Sequence, residues 1–219
     1  LTIEYVLREK PESYWDKLSK FAPGVVPEME HWQAAVNFIR DQSIPKELDM
    51  LLRALWIGAE AKSRGVQHIH AHFATISTRM AALIKILYGI PFSFTCHAKD
   101  IFRETVNRNL FRELTDHSSF GITVSDFNRQ YILDNTPGID SDKIKRLYNG
   151  INMNFFEVPT DRSPLSANPA KIISVGRLVP KKGFDVLLHA IKILVDEGMN
   201  LEVNIIGDGE DQEKLWQLN

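Results

Sequence analysis

From residue 48 onward the apolar positions alternate between two periods. Residues 48–64 repeat at helical spacing and stop at Gly65, and residues 66–73 then read as a strand. The same exchange recurs: a helix over 75–87 closed by Gly89, a strand over 91–96, a helix over 107–114, a strand over 121–124, and a helix over 126–133 capped by Ser125 or Asp126. A strand over 143–148 ends at Asn149-Gly150. Further on, 171–175 is rich in β-branched residues, Val186, Leu187, Ala190, Ile191, Leu194 and Val195 recur at helical spacing, and 201–206 is a second apolar strand. Before residue 48 the pattern is less regular, with helices expected over 14–21 and 29–40 and a turn over 23–27. Alternation of this kind predicts an α/β protein built on doubly wound, Rossmann-like parallel sheets.

The alternation breaks once. Residues 158–169 hold three prolines among small polar residues and have no apolar period, so they read as a linker. Two domains are expected around it: an amino-terminal Rossmann-like domain over 1–157, and the beginning of a second over 170–219. The two domains are expected to face a cleft.

Composition narrows the class of partner. The chain has 219 residues, 44% of them hydrophobic, enough for a proper core. A formal net charge of -2 supplies no basic field, so nucleic acid is not an expected partner. Cys96 is the only cysteine, which excludes an intrachain disulfide and suits a reducing compartment. The longest apolar region, 81–94, is interrupted by Lys85, Gly89 and Pro91 and is too short to span a bilayer. The first residues carry early charges unlike a secretion signal. The chain has no initiator Met and stops within a helical pattern, so both ends are expected to be cut.

The candidate chemistry lies where strands finish, because open parallel sheets bind ligands outside the carboxyl ends of their strands. Gly176-Arg177 to Lys182-Gly183 follows one strand of the second unit, and Gly207-Asp208-Gly209 follows the other. Arg177 offers a planar fork for phosphate oxygens, and Lys182 adds a point charge just before a helix whose amino end favours anions. The alternative is that both are solvated loop charges and the glycines only make turns. In the first unit His68, His70 and His72 alternate along one strand and share a face. No fourth ligand or activating Glu stands at a recognisable spacing, so a metal is not expected and a polar strand end is the simpler account. His97 and Asp100 lie just past an apolar strand, where His97 suits donation to a substrate hydroxyl and Asp100 acceptance from one. A satisfied structural histidine is an equal reading of His97.

Four blocks in order resemble the large retaining glycosyltransferase family of GT-B fold, family 4. They are His70-Ala71-His72-Phe73, Thr95-Cys96-His97-Ala98-Lys99-Asp100, Ser125 through Tyr148-Asn149-Gly150-Ile151, and Val175-Gly176-Arg177 to Lys182-Gly183 followed by Gly207-Asp208-Gly209. The resemblance runs from residue 48 to the end. Residues 97–102 are similar in particular to enzymes of colanic-acid-like exopolysaccharide assembly.

The resemblance implies an enzyme that moves a hexose, with retention, from a nucleotide-diphosphate sugar to a saccharide or lipid-linked saccharide acceptor in polysaccharide biosynthesis. Arg177 and Lys182 would bind the donor diphosphate in place of a metal, with no cofactor required, and Gly176, Gly183, Gly207 and Gly209 would line the same pocket. His97 would lie beside the donor sugar as the catalytic residue. His72, Asp100, Ser125, Asn149 and Gly150 would belong to the acceptor side or the cleft. The implied location is cytoplasmic, with peripheral contact at the inner face of the plasma membrane. A sugar-nucleotide epimerase of similar fold, or a non-catalytic nucleotide-sugar-binding module, are the alternatives.

Two family features are missing. No glycine-rich loop follows a first strand, and Pro23-Gly24 does not replace it. The family's paired glutamates of the second domain are not recognisable either; Glu202 and Glu210 stand eight apart, but one opens a strand and the other follows a turn. The 219-residue chain is therefore expected to be inactive in isolation, an expectation that detectable transfer by the purified chain would overturn.

Overall fold

A computed structural model describes residues 27–41, 47–156 and 168–218. The chain divides after Ile151 into two compact units. The helix expected over 14–21 and most of the linker expected over 158–169 lie outside the described residues.

The first unit opens with helices α1 (Met29–Asp41) and α2 (Glu47–Ser63), and then alternates: β1 (Ile69–His72), α3 (Ile76–Tyr88), β2 (Phe92–Thr95), α4 (Ala98–Phe102), α5 (Arg108–His117), β3 (Phe120–Thr123), α6 (Asp126–Asn135) and β4 (Ile144–Arg146). The four strands are parallel and pair in the order β1-β2-β3-β4. The second unit contains β5 (Ala170–Val175), α7 (Phe184–Asp196), β6 (Leu201–Ile206) and α8 (Gln212–Trp216), with β5 and β6 paired in parallel and in register from Ala170↔Leu201 to Val175↔Ile206. The α/β class and the parallel sheets read from the sequence are those of the structure. Among the described residues the first sheet is wound in one direction only.

Local signals set the element ends. Gly89 closes α3 in the left-handed conformation, its N–H donating to the Lys85 carbonyl. Asn107 and Ser125 cap α5 and α6 by accepting from the amides of Leu110 and Asn128. The strand expected over 66–73 is shorter, because only Ile69–His72 finds partners on β2; His68 precedes it. Helix α4 was not expected: its five residues are too few to show a period.

The core of the first unit lies between one face of the sheet and α3 and α5. Phe92 and Phe94 of β2 are fully buried there with Leu83, Ile84, Leu87 and Leu114. Cys96, at the end of β2, is also fully buried and its Sγ donates to the Ile122 carbonyl; burial pushes the thiol up to about 12. The carboxyl end of α5 is closed by two lysines from elsewhere in the chain. Lys143 Nζ donates to the carbonyls of Thr115 at 3.3 Å, Asp116 at 2.6 Å and Ser118 at 3.1 Å, and Lys85 Nζ donates to that of His117. A cation at this end also meets the negative pole of the helix.

Replacing that cation tests the arrangement. Lys143→Met is expected to lower stability by about 1–2 kcal/mol in urea titration, and Lys143→Arg to restore most of the loss; an unchanged midpoint for Lys143→Met would show that the lysine does not hold the helix end.

Candidate functional site

The first unit's site residues collect at the carboxyl ends of β1 and β2. His70 bridges the strands: its Nδ1 lies 2.8 Å from Ser93 Oγ and its Nε2 2.9 Å from Thr95 Oγ1. His68 Nε2 reaches the same Ser93 hydroxyl at 2.8 Å. Ser93 and Thr95 are buried, so these imidazoles satisfy hydroxyls that would otherwise lack partners. Burial first, then the neighbouring His72 and His68, lowers the pKa of His70, which favours the neutral ring. No group of His, Cys, Asp and Glu among the described residues could hold a metal ion.

His72 faces the site rather than the ladder. Its ring stacks on that of His97, with centroids 5.8 Å apart and planes 11° from parallel, and Phe73 lies against the same ring at 4.8 Å. His97 is half-buried between them at the entrance to α4. Phe73 carries a φ of 71°, a left-handed conformation that a bulky residue adopts at a cost. The surroundings fix it: the Phe73 N–H donates to the Thr95 carbonyl at 2.8 Å, and its own carbonyl accepts from Thr78 Oγ1 at 2.7 Å and Ser77 Oγ at 3.0 Å. Nothing in the sequence marks this residue as left-handed.

Asp100 has a task within the fold. It is only 3% exposed, and its Oδ2 accepts from the amides of His97 at 3.0 Å and Ala74 at 3.1 Å. One carboxylate therefore ties the loop after β1 to the loop after β2. Both bonds fall on Oδ2, so Asp100 positions the two loops through one oxygen, beside the acceptor role expected of it.

Ser125 likewise has a local task, since its hydroxyl caps α6. Next to it Asp126 Oδ1 accepts from Arg146 Nε at 3.0 Å and Oδ2 from Tyr148 OH at 2.7 Å. The bond from Tyr148, then that from Arg146, lowers the Asp126 pKa, and the same bond raises that of Tyr148. Arg146 also lies over the Tyr148 ring at 4.3 Å. Asn149 and Gly150 are exposed just beyond this cluster.

In the second unit the loops after β5 and β6 are knitted together. The Gly176 N–H donates to the Ile206 carbonyl at 3.0 Å, Leu178 N–H to Asp208 at 2.9 Å, and Asp211 N–H to Leu178 at 3.0 Å. Leu178 is buried with Phe184 and Leu215 beneath the loop. A Cβ on Gly207 would stand 1.9 Å from the Gly176 carbonyl oxygen, and one on Gly209 2.2 Å from that of Leu178. The missing side chains therefore admit the neighbouring loop, a packing role that stands beside the donor-side role expected of these glycines.

Residues 180–182 make a 3₁₀ turn, and Gly183, at φ 68°, passes the chain into α7. Arg177 and Lys182 are exposed, and neither side chain has a hydrogen-bond or ion-pair partner among the described residues. Glu202 pairs with Lys171 at 3.6 Å on the strand surface.

Two Rossmann-like units, the first with histidines and the second with cations at its strand ends, fit the GT-B class of glycosyltransferase fold. The sequence matches Glycosyltransferase Family 4 over residues 18–155 and Glycosyl transferases group 1 over residues 159–218. The first match spans more than half of the chain, which therefore belongs to glycosyltransferase family 4. A curated relative, an uncharacterized glycosyltransferase of Methanocaldococcus jannaschii, is 28% identical over 172 residues, covering 77% of this chain and 44% of the relative. The chain thus spans less than half the length of that relative. Among solved structures, TarM aligns with a TM-score of 0.55 at 13% identity, over 75% of this chain and 33% of its own. The catalytic domain of starch synthase IV from Arabidopsis thaliana, bound to ADP and acarbose, aligns with a TM-score of 0.51 at 16% identity, over 83% and 48%.

The Asp100 tie is open to direct test. Asp100→Ala leaves two amides without their acceptor and is expected to cost about 3 kcal/mol, with Asp100→Asn, which keeps one oxygen, costing less. Denaturation of both variants decides it, and an Asp100→Ala chain as stable as the parent would refute the positioning role.

Proposed function

We propose that the protein is a retaining, metal-independent glycosyltransferase that moves a hexose from a nucleoside-diphosphate sugar to a saccharide or lipid-linked saccharide acceptor. The observation that carries the reading is the second unit's loop: Arg177 and Lys182 stand exposed and, among the described residues, unpaired on a backbone locked from below. Cations held without internal partners suit a polyanionic ligand, and a diphosphate matches the fork of Arg177 and the point charge of Lys182. Family membership and the ADP in the starch synthase structure support the same chemistry.

In this reading the bond between the anomeric carbon and the diphosphate oxygen breaks, and its electron pair leaves with the diphosphate. Arg177 and Lys182 stabilise the charge that grows there, as preorganised cations do at a leaving group. The acceptor hydroxyl forms the new bond from the same face and its proton passes to the departing phosphate oxygen. His97, oriented by His72 and Phe73 and fixed through its amide by Asp100, holds a hydroxyl of the donor sugar. The reaction is placed at the cytoplasmic face of a membrane, with the protein as a peripheral partner. No helix among the described residues is long and apolar enough to cross one.

Calorimetry with uridine, adenosine and guanosine diphosphates tests the donor site. Arg177→Gln combined with Lys182→Gln is expected to weaken the preferred nucleotide by about a hundredfold; unchanged affinity would remove the proposal. In a transfer assay on the whole protein, His97→Ala is expected to lower turnover about a hundredfold while leaving nucleotide affinity within about threefold. Equal losses in both would make His97 a binding residue only.

A further inference from the structure

A second set of cations lies in the first unit. Beside the loops that follow β1 and β2, a cavity of about 420 Å³ is lined by Thr75, Arg79, Lys99, Arg103 and Asn107, with Asp100 at its wall. The cations outnumber the single carboxylate, and that carboxylate already accepts from two backbone amides. None of Arg79, Lys99 and Arg103 has a side-chain hydrogen bond or ion pair among the described residues. Arg79 is the most telling. Its Nε is buried with no partner, and burial lowers the guanidinium from its ordinary pKa. A cation held partly out of water carries a desolvation cost, which an anion in the cavity that Arg79 lines would offset. Thr75, which precedes α3, makes no side-chain capping bond, so the first amides of that helix also lack a side-chain acceptor on this side.

We infer that this cavity binds a phosphoryl group carried by the acceptor, so that the acceptor is a phosphorylated sugar or a lipid with a phosphate headgroup. A planar guanidinium matches two phosphoryl oxygens, and the flanking Lys99 and Arg103 neutralise the remaining charge. The volume lies within the range of small-molecule sites, about 300–1,000 Å³, and leaves space for a sugar ring beside the phosphate. The same Asp100 that borders the cavity fixes the amide of His97, so the phosphoryl site and the histidine share one structural support. The inference rests on the transfer reading for calling the ligand an acceptor, and on the cavity alone for its charge.

Calorimetry with glucose 6-phosphate and with glucose, and sedimentation with phosphatidylcholine vesicles with and without phosphatidylglycerol, test it on the 219-residue chain. The chain is expected to bind glucose 6-phosphate at least about tenfold more tightly than glucose, or to sediment only with the anionic vesicles. The first result identifies a sugar phosphate and the second a lipid headgroup. Arg79→Gln with Lys99→Gln and Arg103→Gln is expected to abolish that preference, while Arg177→Gln with Lys182→Gln leaves it unchanged. Arg103→Gln alone, at an exposed position whose loss does not threaten folding, is expected to weaken it about threefold. No preference for the phosphorylated ligand in either arm, or a preference indifferent to both Arg103→Gln and the triple variant, overturns the inference. Nucleoside diphosphate binding that ignores Arg177 and Lys182 would instead sink the donor reading and leave the cavity's result standing.

Discussion

Strand β2 is buried on both faces, and the first unit is arranged around that constraint. One face, Phe92 and Phe94, is apolar and is covered by helices. The other, Ser93 and Thr95, is polar and cannot be left dry. His68 and His70 on the neighbouring segment are the answer to that problem, because imidazole nitrogens reach the hydroxyls across the sheet. A stripe of histidines that looks like a metal site is thus largely spent on satisfying a strand. Only His72, at the last rung of the ladder, is left to turn toward His97.

The end of β2 passes this order on to the site. Parallel strands deliver their loops to one edge, but loops are mobile unless something ties them. Asp100 is the tie in the first unit, and the backbone bonds among Gly176, Leu178, Asp208 and Asp211 are the tie in the second. The chemistry differs, one being a carboxylate and the other main chain, yet each fixes a strand-end loop to its neighbour.

Much of this was legible in the sequence, for identifiable reasons. Elements with a clear period appear within a few residues of their expected ends: 48–64 became Glu47–Ser63, and 201–206 became Leu201–Ile206. Ser125 was readable as a cap because capping is local chemistry. The roles of Asp100, Gly207 and Gly209 were not, since each depends on an atom of a loop distant in sequence: the amide of Ala74, and the carbonyls of Gly176 and Leu178. Composition places an aspartate near a site without saying whether its oxygens are already taken. The cavity by Arg79 was hidden for the same reason. Its cations come from α3, from α4 and from the residue after α4, and no single motif unites them.

The interlocked strand-end loops also bear on the entropy of recognition. Where a phosphate-binding loop is loose, much of the interaction is consumed in ordering its backbone, at about 1–2 kcal/mol per residue. Here the Gly176 and Leu178 amides are already engaged and Leu178 is anchored below, so arrival of an anion would freeze chiefly the rotors of Arg177 and Lys182. Such a loop would give up little freedom on capturing a ligand and regain little on letting it go, which in the proposed reading suits a diphosphate that leaves on every cycle.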